Sequence, residues 1–153
     1  ISNWRRPAPN TIPWDTKAAG LYMICTLSKH EAEKQGYTDS LMLDHEGYIA
    51  EATGANIFFK DKDGTLHTPI PDSFLDGITR RTVIEIANSK NIKVNERKIK
   101  PEELKNFVGC FLTGTAAEVT PVSQIDKFNY KVCNTIIQLS ESYQQTVRKK
   151  KAA

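Results

Sequence analysis

No apolar run in this 153-residue chain approaches the roughly 18–20 residues needed to cross a bilayer, which excludes a membrane-spanning helix. Cysteine is scarce. Cys25, Cys110 and Cys133 are odd in number, widely spaced and form no Cys-x-x-Cys pair, so neither a metal site nor a disulfide framework is expected. A reducing cytoplasm fits that usage. The start, ISNWRRPAP, has neither an initiator Met nor the apolar core of a signal peptide, and reads as a chain entered partway. There is no internal repeat, and no low-complexity segment before the final lysines. A one-sided charge is lacking too: without Arg148, Lys149, Lys150 and Lys151 the net charge of +3 becomes −1. The body is nearly neutral, and no nucleic-acid partner is expected. What is present is ordinary: 39% hydrophobic and 25% charged residues, in a chain long enough for one domain with a core.

Pro7, Pro9 and Pro13 make the first stretch extended, because proline disfavours helix in the residue before it. Residues 1–14 therefore read as an interdomain linker, and 15–153 as the domain. Leu21, Cys25, Ser28 and Ala32 share a helical face over 18–35, with Asp15 or Thr16 near the start and Gly36 as the stop. Lys17 falls at or just before the first turn. Short β-type runs follow: SLML (40–43) into YIAEA (48–52), and NIFFK (56–60) through an Asp-Gly turn into TLHT (65–68). A second amphipathic helix is expected from 78 to about 90, capped by Ser73 or Asp76. IKVNERKI (92–99) alternates like a strand, Pro101 opens a short helix, and GCFLTG (109–114) is an apolar strand. A closing helix is expected over 132–147. The fold class is α+β, with mainly antiparallel hairpins and a strongly curved sheet.

Four segments, in order, resemble the fold-type-IV pyridoxal-phosphate enzymes, the branched-chain amino acid aminotransferases above all. They are RRPAPNTIPWDTKAAGLY (5–22), LDHEGYIAEATGANIFF (43–59), FLDGITRRTVIEIA (74–87) and FLTGTAAEVTPV (111–122). The resemblance implies the large, cofactor-binding domain of that family, a D-amino acid aminotransferase-like pseudo-barrel with flanking helices. It implies pyridoxal 5'-phosphate as cofactor. Lys17 falls on the lysine that forms the Schiff base and then shuttles a proton at the substrate α-carbon. Glu51 matches the carboxylate that pairs with the pyridine nitrogen. Opposite unit charges ~4 Å apart at an effective dielectric near 20 attract by ~4 kcal/mol before desolvation. Tyr22 matches the tyrosine that bonds the ring hydroxyl oxygen, and Leu75 the residue packing on the ring face. Gly77, Ile78 and Thr79 match the phosphate-contact turn at a helix start. Thr115 adds a hydroxyl to the phosphate. Gly114, Thr115 and Ala116 match the segment that faces the substrate carboxylate.

By the same resemblance the reaction is transamination of Leu, Ile or Val with 2-oxoglutarate, in a homo-oligomeric enzyme acting on small amino and 2-oxo acids. D-amino acid aminotransferases and aminodeoxychorismate lyases share the cofactor and lysine, but GTAAEVTP and RRPAPNTIP favour the branched-chain type. A non-catalytic remnant kept as an interaction domain is the reading from another class. Three departures stand out. Ala55 replaces a usual Glu, Leu21 replaces a frequent Asn, and nothing corresponds to the family's small N-terminal domain with its phosphate-binding arginine. Arg5 and Arg6, in the linker motif, do not supply that role. The isolated polypeptide is therefore expected to have little transaminase activity.

Overall fold

Phe58 and Phe59 are neighbours in sequence and both are fully buried, so the strand that carries them has apolar core on each face. The computed structural model describes residues 1–148; Lys149, Lys150 and Lys151 of the basic tail lie outside the described residues. A 3-10 turn over Ala19–Tyr22 leads into α1 (Met23–Lys34). Then follow β1 (Leu41–Leu43), β2 (Ile49–Ala52), β3 (Asn56–Lys60) and β4 (Leu66–Thr68). After α2 (Ile78–Ser89) come β5 (Val94–Glu96), a 3-10 turn over Pro101–Asn106, β6 (Gly109–Gly114) and β7 (Glu118–Pro121). A small hairpin, β8 (Gln124–Ile125) and β9 (Phe128–Asn129), precedes α3 (Asn134–Val147).

The main sheet runs β5-β4-β3-β6-β7, antiparallel except for the parallel β4–β5 pair; β1 and β2 form a separate antiparallel pair. Side chains alternate across a strand. Ile57 and Phe59 of β3, with Cys110 of β6, thus join the cluster under β1, β2 and the 101–106 turn, around Leu43, Ile49, Leu104 and Phe107. Phe58 and Phe111, directly opposite in register, stack at 4.9 Å between centroids on the other face. There α2 and α3 cover them with Val83, Ala87, Ile136 and Leu139. Spacings of three and four residues put these groups on one stripe of each helix.

The expected elements are present, with local corrections. Gly36 ends α1 at φ +84°, where a side chain would be strained. Among the described residues no side chain caps α1 or α2. Thr16 bonds the Pro13 carbonyl instead, and Asp76 pairs with the buried Arg80. Ser73 is buried without a hydrogen-bond partner among the described residues. The strand expected over 92–99 pairs over only three residues. Arg97 still donates its backbone N–H to the Thr68 carbonyl while its side chain bonds Glu103, and the Ile99 carbonyl accepts the Ile49 N–H of β2, so the segment bridges both sheets. Among the described residues no helix is long and apolar enough to cross a membrane.

Phe111 carries the inter-face packing. Phe111→Ala is expected to cost about 3–5 kcal/mol in urea unfolding, as for other fully buried aromatics. Met23→Ala, at a side chain 68% exposed, should stay within about 0.5 kcal/mol.

Candidate active site

The site grows from an irregularity in β2. Met42 pairs with Glu51 but Leu43 pairs with Ile49, so Ala50 is an extra residue on its strand. In a regular strand Ile49 and Glu51, two apart, would face the same side. The bulge resets the alternation. Ile49 enters the apolar core, while Glu51 turns toward Arg6 and Asn56.

Glu51 is 8% exposed. Burial pushes its carboxyl up to about 8, against the pull of the Arg6 guanidinium, whose Nε lies 3.4 Å from Glu51 Oε1. That Nε–H is not aligned on an acceptor and is left unpaired among the described residues, although Arg6 is buried. Arg6 Nη1 reaches Cys25 Sγ at 3.3 Å. The other carboxylate oxygen, Glu51 Oε2, accepts from Asn56 Nδ2 at 3.3 Å. Tyr22, at the end of the turn that follows Lys17, faces the same space. Its phenol is raised first by burial and then by the Glu51 charge.

Lys17 lies in the extended stretch before the Ala19–Tyr22 turn; its side chain is exposed and no ion pair engages it among the described residues. Leu75 is half-buried, and its carbonyl accepts from Asn56. Gly77 precedes α2, and its N–H is taken by Asn56 Oδ1 at 3.1 Å. That leaves the Ile78 and Thr79 N–H groups at the head of the helix, where no intrahelical acceptor exists. Ile78 is exposed, while the Thr79 hydroxyl lies 3.3 Å from Tyr143 OH on the buried side. Gly114 closes β6 beside the loop after Glu51: a Cβ there would sit 3.4 Å from the Gly54 carbonyl and 3.5 Å from Ala55 Cβ. Thr115 and Ala116 are exposed in the β6–β7 turn.

The fold thus brings Tyr22, Glu51, Leu75 and Gly77 around one place, with Gly114 at the edge of the Glu51 loop. Arg6 and Asn56 were not anticipated as site residues. Arg6 reads as part of a proline-rich linker, yet the segment pairs with β1 (Arg6 N–H to the Leu43 carbonyl, 2.8 Å) and is drawn inward. A polar residue opening the apolar run NIFF was the one available signal for Asn56. These donors fit a phosphorylated pyridine. A buried carboxyl held near 8 needs a cation opposite it to ionise at neutral pH, as a protonated ring nitrogen would be. N–H groups at a helix head with no acceptor among the described residues suit a phosphate.

The raised Glu51 pKa carries a stability consequence. The folded state holds this proton more tightly than the unfolded chain, whose ordinary value is 4.5, so stability falls as pH rises from about 4.5 to about 8. Relative to wild type, Glu51→Gln should gain on the order of a few kcal/mol across that window and nothing further above it. Denaturant midpoints measured against pH, without added ligand, check this; parallel curves would contradict it.

Comparison with known proteins shows the family and the fold. Residues 1–125 match the family model described as amino-transferase class IV. The chain is 52% identical over 132 residues to a probable branched-chain-amino-acid aminotransferase of Rickettsia bellii, covering 86% of this chain and 45% of that protein. It is 44% identical over 127 residues to the Escherichia coli branched-chain-amino-acid aminotransferase, covering 82% and 41%. The branched-chain amino acid aminotransferase of Thermobaculum terrenum, solved in its PLP-bound holo-form, superposes with a TM-score of 0.90 at 36% identity, over 95% of this chain and 49% of that one. The chain spans about half the length of these relatives. The expected fold-type-IV architecture is therefore the observed one, and the chain belongs to the class IV aminotransferase family.

Proposed function

We propose that this chain is the cofactor-facing part of a pyridoxal-phosphate-dependent transaminase that exchanges the amino group of Leu, Ile or Val with 2-oxoglutarate. The observation that carries the reading is the buried Glu51 carboxyl, turned out of the apolar core by a bulge and set beside Tyr22 and the start of α2. Pyridoxal phosphate, when bound, supplies an electron sink for the carbanion left when the substrate α-carbon loses its proton.

The residues divide the remaining work. Lys17 offers an amine, without an ion pair among the described residues, that would condense with a carbonyl with loss of water and, once freed, move the proton at the α-carbon. Glu51 holds a proton at the ring nitrogen; because its own carboxyl is raised, it can deliver that proton as the pair forms. Arg6 and Asn56 stabilise the carboxylate that results. With the cofactor bound, Tyr22 would donate to the ring hydroxyl oxygen, Leu75 would pack on the ring face, and the Ile78 and Thr79 N–H groups with Thr115 would receive the phosphate. The Gly77 N–H holds Asn56 and so acts on the turn from behind. Gly114, Thr115 and Ala116 face the substrate carboxylate. The same reading makes the enzyme a cytoplasmic homodimer or higher oligomer, acting on small amino and 2-oxo acids, with residues 1–14 as an interdomain linker.

In the complete gene product, L-leucine, L-isoleucine or L-valine with 2-oxoglutarate should yield glutamate. Lys17→Ala should lower turnover by roughly a hundred- to ten-thousandfold from lost proton transfer alone. A preference for D-amino acids, or turnover of aminodeoxychorismate, would move the chain to those branches of the family. Cofactor bound without any turnover would favour a retained structural domain.

A further inference from the structure

Asn56 opens β3 opposite Thr113 of β6 and is 5% exposed. Its Nδ2 donates to Glu51 Oε2 at 3.3 Å and to the Leu75 carbonyl at 2.9 Å, and its Oδ1 accepts the Gly77 N–H at 3.1 Å. These neighbours fix the orientation of the amide: only its oxygen can receive an N–H, and only its NH2 can serve a carbonyl. The approach to Gly77 is close. A Cβ at that position would lie 2.4 Å from Asn56 Oδ1, although the Gly77 backbone, at φ −63° and ψ 141°, is one that any residue adopts. Asn56 itself is what requires a glycine at 77.

We propose that Asn56 is a positioning residue that locks the carboxylate facing the ring nitrogen to the turn facing the phosphate, so that one side chain sets the spacing between the two ends of the cofactor site. The inference rests on the cofactor reading above. A rigid ligand with a cationic nitrogen at one end and a phosphate at the other is held well only when its two partners keep a fixed separation. Glu51 lies near the end of β2 and Gly77 precedes α2, and the Asn56 carboxamide bonds both directly. Aspartate in its place would keep the acceptor for Gly77, lose both donors and set a second negative charge beside Glu51. Alanine would lose all three bonds.

The test uses the complete gene product with Asn56→Ala, Asn56→Asp, Gly77→Ala and the Asn56→Ala/Gly77→Ala pair. Affinity is measured for pyridoxal 5'-phosphate and for phosphate-free pyridoxal, from the absorption of the lysine-bound cofactor. The pH dependence of that absorption and the melting temperature are followed alongside. Asn56→Ala should weaken pyridoxal phosphate by roughly ten- to hundredfold, the scale of a lost hydrogen bond to a charged group. It should weaken pyridoxal as well, because the carboxylate end loosens too. Asn56→Asp should also shift the pH profile of the bound cofactor, which a general loss of stability does not do. Gly77→Ala should reproduce the Asn56→Ala loss and add nothing to it in the pair, where the new methyl meets no amide oxygen. Should Asn56→Ala fail to fold, Asn56→Asp and Gly77→Ala decide by the same criteria. Unchanged affinity for both cofactor forms, an unmoved pH profile in Asn56→Asp, or additive losses in the pair would overturn the proposal. Wild-type protein lacking a cofactor band that Lys17→Ala removes would overturn the cofactor reading beneath it; a normal wild-type band with insensitive Asn56 variants would overturn the Asn56 role alone.

Discussion

A carboxyl group with almost no access to water is the most demanding element of this fold, and much of the surrounding architecture answers to it. Unrelieved burial would keep Glu51 neutral well past physiological pH. Arg6 opposes that on one oxygen and Asn56 on the other. Neither donor comes from β2 itself. Arg6 arrives on the first extended segment, which lies parallel against β1, and Asn56 opens the next strand. Three pieces of chain therefore meet at this one carboxyl. The site and the packing of β1 and β2 draw on the same segments.

The same economy extends to the start of α2. Arg80, fully buried, ties the loop before α2 to β4 and β5 through Thr68, Pro69 and Glu96. Asn56 reaches the end of that loop from the sheet. The loop that presents Leu75 and Gly77 is thus held at both ends by buried or part-buried hydrogen bonds. Such anchoring keeps a loop in one geometry without a ligand, and a preorganised site costs less ordering when it binds.

The sequence made much of this legible, and the reasons are physical. The three helices announced themselves through a 3.6-residue apolar period, and β3 and β6 through unbroken apolar runs, as a strand buried on both faces must. Lys17, Glu51 and the Gly77 turn stood out as candidates because their segments resemble a known family, and of these the structure gathers Glu51 and Gly77 around Asn56. Arg6 was hidden, since an arginine among prolines has the composition of an exposed linker and only tertiary pairing buries it. Asn56 was hidden for a related reason: a carboxamide has no charge or spacing signature, and its role exists only once residues 51, 75 and 77 converge on it. Helix caps were misjudged where a candidate side chain found a better partner, as Asp76 did in Arg80.

The bulge at Ala50 has a consequence for how such a fold diverges. Because the facing of Glu51 depends on one unpaired residue, an added residue in β1 opposite Ala50 would restore regular pairing and turn the acid to the face of Ile49, while every element survived nearly unchanged. The facing of Glu51 is thus written partly in the relative count of residues along β1 and β2 and not only in their identities. Two descendants with nearly the same letters could differ in catalytic competence through a single gap.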